Sequence, residues 1–371
     1  MIRYEAASAA SIVFNRKNGQ PMFEPQVIDL AGFRDPSRDE FFSPSWRKRL
    51  APYCKPARSR AVRQLFNTSI PFLASMTTLL YGLAHGQWYA LALVLPAAAF
   101  LVRLFVIQHD CGHGSFFKSR RANEAVGLIL SILTLMPYWS WRRAHAVHHA
   151  TAGNLERRGT GDVTTLTVRE YLSRSTWRRF VYRTYRHPLV LFGIGPIYFL
   201  LIRYRIPMSN PFQDWQHWIS VAFTNAIAAA AGAVLAIIID PCTFLLAWST
   251  VLLLATAVGV WFFYIQHQFA DTYWADSASW EFHRAAISGS SYYDLPRILD
   301  WLTGSIGFHH IHHLASKIPN YHLRACFNEN PELQCAKRVT LWTSLKSVRL
   351  ALWDEDLARL VSFRQICNFS G

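Results

Sequence analysis

The sequence is short of acid and of organised cysteine. Its 371 residues hold 23 Asp and Glu against 38 Lys and Arg. The six cysteines, Cys54, Cys111, Cys242, Cys326, Cys335 and Cys367, are scattered, with no Cys-x-x-Cys pair. That pattern excludes zinc ribbons, iron-sulfur clusters and the disulfide frameworks of small secreted domains. There is no internal repeat, no low-complexity segment, and no flavin or nicotinamide fingerprint. Residues 1–63 lack a basic stretch leading into a short apolar core and a small-residue cleavage site. No cleaved signal peptide is therefore expected, and the amino terminus is placed in the cytoplasm.

Charge is also nearly missing from the proposed spans, Arg103 being the exception. The chain is 51% hydrophobic and 15% aromatic, and these residues gather in runs too long for the helices of a soluble core. The runs are Ile70 to Ala84, Trp88 to Gln108, Ala125 to Trp139, Pro188 to Ile206, Ile219 to Ile239 and Cys242 to Gln266. A span needs about 20 apolar residues. The connectors His85-Gly-Gln87 and Asp240-Pro241 read as the turns of two helical hairpins. Basic residues crowd the amino-terminal segment (Arg47, Lys48, Arg49, Lys55, Arg58, Arg60, Arg63) and the middle one (Arg142 through Arg186). The positive-inside rule places both in the cytoplasm. For both basic segments to share that side, Ala125 to Trp139 must lie in the membrane interface without crossing, and Pro188 to Ile206, weakened as a straight span by Gly193, Gly195 and Pro196, is assigned there too.

The expected fold is an all-α integral membrane domain with four transmembrane helices as two hairpins, interfacial helices and a cytoplasmic histidine-rich cap. Residues 1–63 form a cytoplasmic amino-terminal segment, 64–323 the membrane domain and 324–371 a cytoplasmic carboxy-terminal segment with helical patterning around Leu341 to Leu360. The formal charge of +15 flanks apolar segments and builds no nucleic-acid fold, so the partner it suits is the membrane surface.

Against these absences stand fifteen histidines, nine of them in three clusters: His109-Asp-Cys-Gly-His113, His145-Ala-Val-His148-His149 and His309-His310-Ile-His312-His313. At about 100° per residue, helical i, i+3 and i+4 positions share a face, so each cluster is expected to aim its imidazoles at one point. Eight of these residues, His109, His113, His145, His148, His149, His309, His312 and His313, suffice for two metals with four ligands each. Imidazole suits iron, zinc, copper and nickel, and the lack of a thiolate set argues against structural zinc.

The clusters resemble the His-x-x-x-His, His-x-x-His-His and His-x-x-His-His boxes of the membrane fatty acid desaturase family, in order and in hydrophobic context. Gly159-Thr-Gly-Asp162-Val, Gln266-His-Gln-Phe-Ala-Asp271-Thr-Tyr-Trp274 and Ile318-Pro-Asn-Tyr321 look like bacterial acyl-lipid desaturases. The resemblance implies two non-haem irons, dioxygen as co-substrate and a double bond introduced into an acyl lipid or acyl thioester. No catalytic side chain is expected beyond the metal centre. It also implies a further ligand after the last span, where His267 stands.

Metal-bound imidazoles usually give their other ring proton to a carboxylate or carbonyl. Asp110, Asp162 and Asp271 are the candidates, Asp110 toward His113 and Asp271 toward His267 by helical spacing. His310 points away from His309 on a helix and is left out, as are His85, His187, His217 and His322, while His283 stays open. Cys111 is read as a packing residue. With no electron-carrying unit in the chain, a separate acidic donor is expected on the basic face, either a ferredoxin or a b-type cytochrome.

Two other readings remain. A di-iron membrane hydroxylase or ketolase would use the same centre to insert oxygen. A metal transporter would need polar ligands inside its spans, where ionisable residues are almost absent. The expected location is a bacterial cytoplasmic membrane, with the site on the cytoplasmic face.

Overall fold

The structure is a computed structural model that describes residues 44–159, 163–207 and 214–367. It is mostly helical. After the short α1 (Pro44–Leu50), α2 (Arg58–Ala84) and α3 (Val94–His113) form a hairpin whose connector carries a 3-10 turn at Trp88–Leu93. Then come α4 (Arg120–Thr134), α5 (Tyr138–Thr151), β1 (Leu166–Thr167), α6 (Val168–Ser173) and α7 (Thr176–Tyr185). Next is an irregular stretch of π turns at Val190–Ile194 and Phe199–Arg203 around α8 (Gly195–Tyr198).

The second hairpin is α9 (Trp215–Ile239) and α10 (Pro241–His267). The rest holds α11 (Phe282–Ser288), β2 (Tyr292–Asp294), α12 (Arg297–Leu302), α13 (His309–Leu314) and α14 (Asn320–Glu329). It closes with β3 (Arg338–Thr340), α15 (Leu341–Ser347), β4 (Leu350–Asp354), β5 (Arg359–Ser362) and α16 (Phe363–Cys367).

Three helical stretches are long and apolar enough to cross a membrane: Trp88–His113, Trp215–Ile239 and Pro241–His267. The pair Thr176–Tyr185 and Val190–Arg203 passes the same test only as one span bent by 58°. α2 is long enough but does not join them, because Asn67, Thr68, Ser69, Ser75, Thr77 and Thr78 dilute its apolar run. Of these, Thr68 is wholly buried against α3, whereas Thr77 and Thr78 are exposed. α4 is too short to cross and lies along α3 as an amphipathic helix.

Local chemistry sets the helix ends that matter. Asp240 carries a positive φ of 145° between α9 and α10, and its carboxylate caps α10 by accepting from Thr243 N at 2.8 Å. Pro241 follows as the first helical residue, where its missing N–H costs nothing. At the end of α3, Gly114 takes the left-handed conformation (φ 65°) and stops the helix directly after His113. A side chain there would be strained, so the end of the first box is fixed by backbone geometry.

The expectation of an all-α chain is corrected by two small sheets. β2 pairs in parallel with β3, Tyr292 opposite Arg338. β1 pairs in parallel with β4, Leu166 opposite Leu352, and β4 pairs antiparallel with β5. The expected helix around Leu341 to Leu360 exists only as α15, and β4 and β5 take the rest.

Arg186 fastens this tail to the membrane unit. It is buried and donates to Gln268 Oε1 at 2.9 Å, Leu350 O at 2.7 Å and Thr164 O at 3.3 Å. Buried Arg103 of α3 donates to Thr68 Oγ1 at 3.0 Å and lies 4.2 Å over the Trp301 ring, a cation–π contact that satisfies a charge deep in the fold.

Candidate metal centre

Two candidate spans end in the site: α3 with His109 and His113, α10 with His267. α5 and α13 close over these ends with the second and third boxes. Nine histidines thereby meet in two groups. The first holds His109, His113, His145, His149 and His312, the second His148, His267, His309 and His313. Within each group, one ring nitrogen from every residue lies within 4.8 Å of all the others.

This arrangement corrects the expectation that each cluster serves one point. Only the first box stays together. His145 and His149 are about 40° apart around α5 and face one group, while His148, about 100° from His149, faces the other. The third box divides the same way, His312 joining the first group and His309 with His313 the second. The split is five and four, and not four and four, because His267 enters the second group and His312 crosses to the first.

The ring nitrogens are crowded in a way that hydrogen bonding does not satisfy. His145 Nε2 lies 3.0 Å from both His109 Nε2 and His149 Nε2, and His149 Nε2 is 3.0 Å from His312 Nε2. His309 Nε2 lies 3.1 Å from His267 Nε2. An imidazole nitrogen offers one in-plane position, either a proton or a lone pair, so neither His145 nor His149 can make two good bonds at once. His113 Nε2 and His313 Nε2 are buried with no hydrogen-bond partner among the described residues.

A cation receiving the lone pairs resolves all of these contacts. The donor set fits iron or another imidazole-seeking metal. Burial, followed by the neighbouring imidazoles, pushes His145, His149, His309, His312 and His313 well below the usual histidine range. They are thus held neutral, the form that binds metal.

The shell around the rings differs from residue to residue. Asp110, buried beside the first group, places Oδ1 3.1 Å from Nδ1 of His109, its chain neighbour, and not against His113 as the spacing had suggested. Asp271 does not reach the site. It is half exposed and paired with Lys337, while His267 Nδ1 faces the Gly289 carbonyl at 2.9 Å. Asp162 lies outside the described residues.

The Trp141 ring stacks on His145, with centroids 4.7 Å apart and planes 16° from parallel. Phe263 covers His148 and His267 at 5.0 and 5.8 Å. Gly112 makes room for Trp141, since a methyl on it would stand 2.8 Å from Cζ3. Sequence reasoning missed Trp141, Phe263 and the Gly289 carbonyl. Trp141 stands four residues before His145, one helical turn away, and that spacing was the available signal.

The remaining histidines lie outside both groups. His310 is buried beside Tyr292 and Phe327, and burial pushes its pKa down to about 4. His217 Nδ1 meets Ser140 Oγ at 2.5 Å and His322 Nδ1 faces Tyr53 O at 2.9 Å. Cys111 is buried in the apolar core that holds α3.

Residues 86–346 match the family model described as Fatty acid desaturase. The chain is 41% identical over 319 residues to a fatty acid desaturase of Bacillus subtilis, covering 86% of this chain and 90% of that one. It is 28% identical over 244 residues to the sn-1 oleoyl-lipid 12-desaturase of a Synechocystis species, covering 66% and 69%. The sn-1 acyl-lipid omega-3 desaturase (ferredoxin) of the same genus is 27% identical over 239 residues, covering 60% and 61%.

Proposed function

The chain belongs to the fatty acid desaturase family, and from that premise we propose that its two histidine groups hold two iron ions at the cytoplasmic face of a membrane. There it introduces a double bond into the acyl chain of a lipid. The observation that carries this reading is the meeting of nine histidines in two groups at the ends of apolar helices. His109, His113, His145, His149 and His312 hold one ion, and His148, His267, His309 and His313 the other. When bound, the iron pair supplies the oxidation, in which dioxygen is reduced to water with two hydrogens from adjacent methylenes, two external electrons and two protons.

The chain's own residues do the rest. Nδ1 of His109 and of His267, facing Asp110 and the Gly289 carbonyl, hold those rings so that Nε2 points at the metal. Trp141 and Phe263 cover three of the imidazoles with apolar surface and keep bulk water from the oxidant. The ends of α3 and α10 set the reacting position where a span meets the headgroup layer, so the acyl chain reaches it without leaving lipid.

Four crossings account for this placement: α2 with the stretch ending in α3, then α9 with α10. The bent stretch from Thr176 to Arg203 lies in the interface. Residues 64–323 form the desaturase unit, with cytoplasmic segments at 1–63 and 324–371. A bacterial cytoplasmic membrane is the setting, and the relative from Bacillus subtilis supports it. The printed name of the Synechocystis omega-3 enzyme favours a ferredoxin as donor over a b-type cytochrome, and those of both cyanobacterial relatives favour acyl lipid over acyl thioester.

The test is mass spectrometry of fatty acids from a host that expresses the chain with a matched donor, beside a His148→Ala control. New unsaturated acids, made only by the unaltered chain, are expected, and derivatisation locates the bond. Hydroxylated products would replace the desaturase reading with the hydroxylase one.

A further inference from the structure

Asp110 is a carboxylate buried to 1% exposure, and among the described residues no Lys or Arg pairs with it. A charge in that position needs donors. Two of them come from one residue, for Asn320 gives Asp110 Oδ2 its backbone N–H at 2.6 Å and its side-chain Nδ2 at 2.8 Å. Asn320 is the first residue of α14, so its N–H has no acceptor within the helix and lies at the positive end of the helix dipole. The other carboxylate oxygen is left to His109 Nδ1.

The orientation of the Asn320 amide follows from its neighbours. An ionised carboxylate only accepts, so Nδ2 must face Asp110, and Oδ1 then accepts from Gln64 Nε2 of α2 at 2.9 Å. Gln64 and Asn320 are themselves buried, at 5% and 2% exposure. The contacts run without a break from α2 through the start of α14 to the end of α3. Two further bonds pin the same loop, Lys317 Nζ to His113 O at 2.5 Å and Tyr321 OH to Phe116 O at 3.0 Å.

We propose that Asn320 is a positioning residue of the metal centre, fixing Asp110 so that its free oxygen accepts a hydrogen bond from Nδ1–H of His109 and leaves the Nε2 lone pair for the metal. The proposal rests on the metal-centre reading above and adds a selective consequence. Asn320 acts on the five-histidine group through His109, and the four-histidine group has no link to it in this chain of contacts. Losing the amide frees Asp110 to rotate and lets His109 take the other tautomer, whose Nε2 carries a proton where the metal binds. Outer partners of this kind are worth about 10–100-fold in metal affinity.

The test uses full-length protein in detergent, loaded with Co(II), whose visible spectrum reports ligand geometry. Metal per protein is followed during a chelator challenge. Wild type is expected to hold two ions. Asn320→Ala is expected to release one of them about 10–100-fold faster, with a changed spectrum for that ion alone. Asp110→Asn is expected to do the same, and Asn320→Ala to add nothing in the Asp110→Asn background, a non-additivity that general destabilisation does not give.

Should Asn320→Ala fail to accumulate, Asn320→Ser, which keeps the backbone donor and loses the amide, is read the same way. Wild-type release and spectrum in these variants, or additive effects with Asp110→Asn, overturn the proposal. A wild type that takes up no metal overturns the metal-centre reading with it.

Discussion

The indole of Trp141 lies almost parallel to the imidazole of His145, 4.7 Å from it, one turn earlier on the same helix. Gly112, inside the first box, is what lets the indole lie there. One box thus depends on a backbone atom of another for the aim of its first histidine.

Gly112→Ala follows from this. The added methyl would meet Trp141 Cζ3 at 2.8 Å, and such overpacking costs about 1–3 kcal/mol. With Trp141 displaced, His145 loses its fixed face, and iron bound to the purified protein is expected to fall toward one ion per chain. Gly259→Ala in α10, where nothing lies within 4 Å of the new methyl, is the control and keeps two. Equal iron in both variants would break the link between Gly112 and the site.

His267 and His310 separate ligand from bystander. Removing His267 leaves three imidazoles in the second group, so His267→Ala is expected to lose one of two metal ions and at least about a hundredfold in activity, on the scale of losing a group that acts as part of a unit. His310→Ala removes a buried ring outside both groups and is expected to keep both ions. Elemental analysis of the two proteins side by side decides it, and the reverse pattern would require a different ligand set.

Arg186 makes a prediction about stability. Replacing it by Met leaves Gln268 Oε1, Leu350 O and Thr164 O buried with fewer donors, a loss on the order of 3 kcal/mol. Arg186→Lys recovers little, because an ammonium cannot reach three acceptors spread across the planar fork of a guanidinium. Melting temperatures in detergent give the ranking. A lysine variant as stable as wild type would show that charge alone suffices.

Much of this site was legible along the chain because its chemistry is local. The first box, an i, i+4 pair on the last turn of α3, is found together as its spacing demands, and the turns at His85–Gln87 and Asp240 stand where the apolar runs break. What depends on distant packing was not legible. Whether His148 faces with His149 or against it is set by where α5 lies across α3 and α10. Asp271 has the spacing to serve His267, yet Lys337 claims it from far along the chain.

The expected helix around Leu341 to Leu360 takes in the apolar run Leu350 to Trp353, which forms β4. That strand pairs with β5 a few residues on and, on its other edge, with Leu166 and Thr167, and no local pattern announces a parallel partner that remote.

The division of the third box has a consequence in time. His312 completes one group and His309 with His313 the other, so neither can close until the ribosome has made the third box. A nascent chain that has emerged only through α10 presents at most four of the five rings of the first group and two of the four of the second. On the proposed di-iron reading, iron acquisition would be a late event of biogenesis, and a polypeptide truncated before the third box would not hold a finished centre.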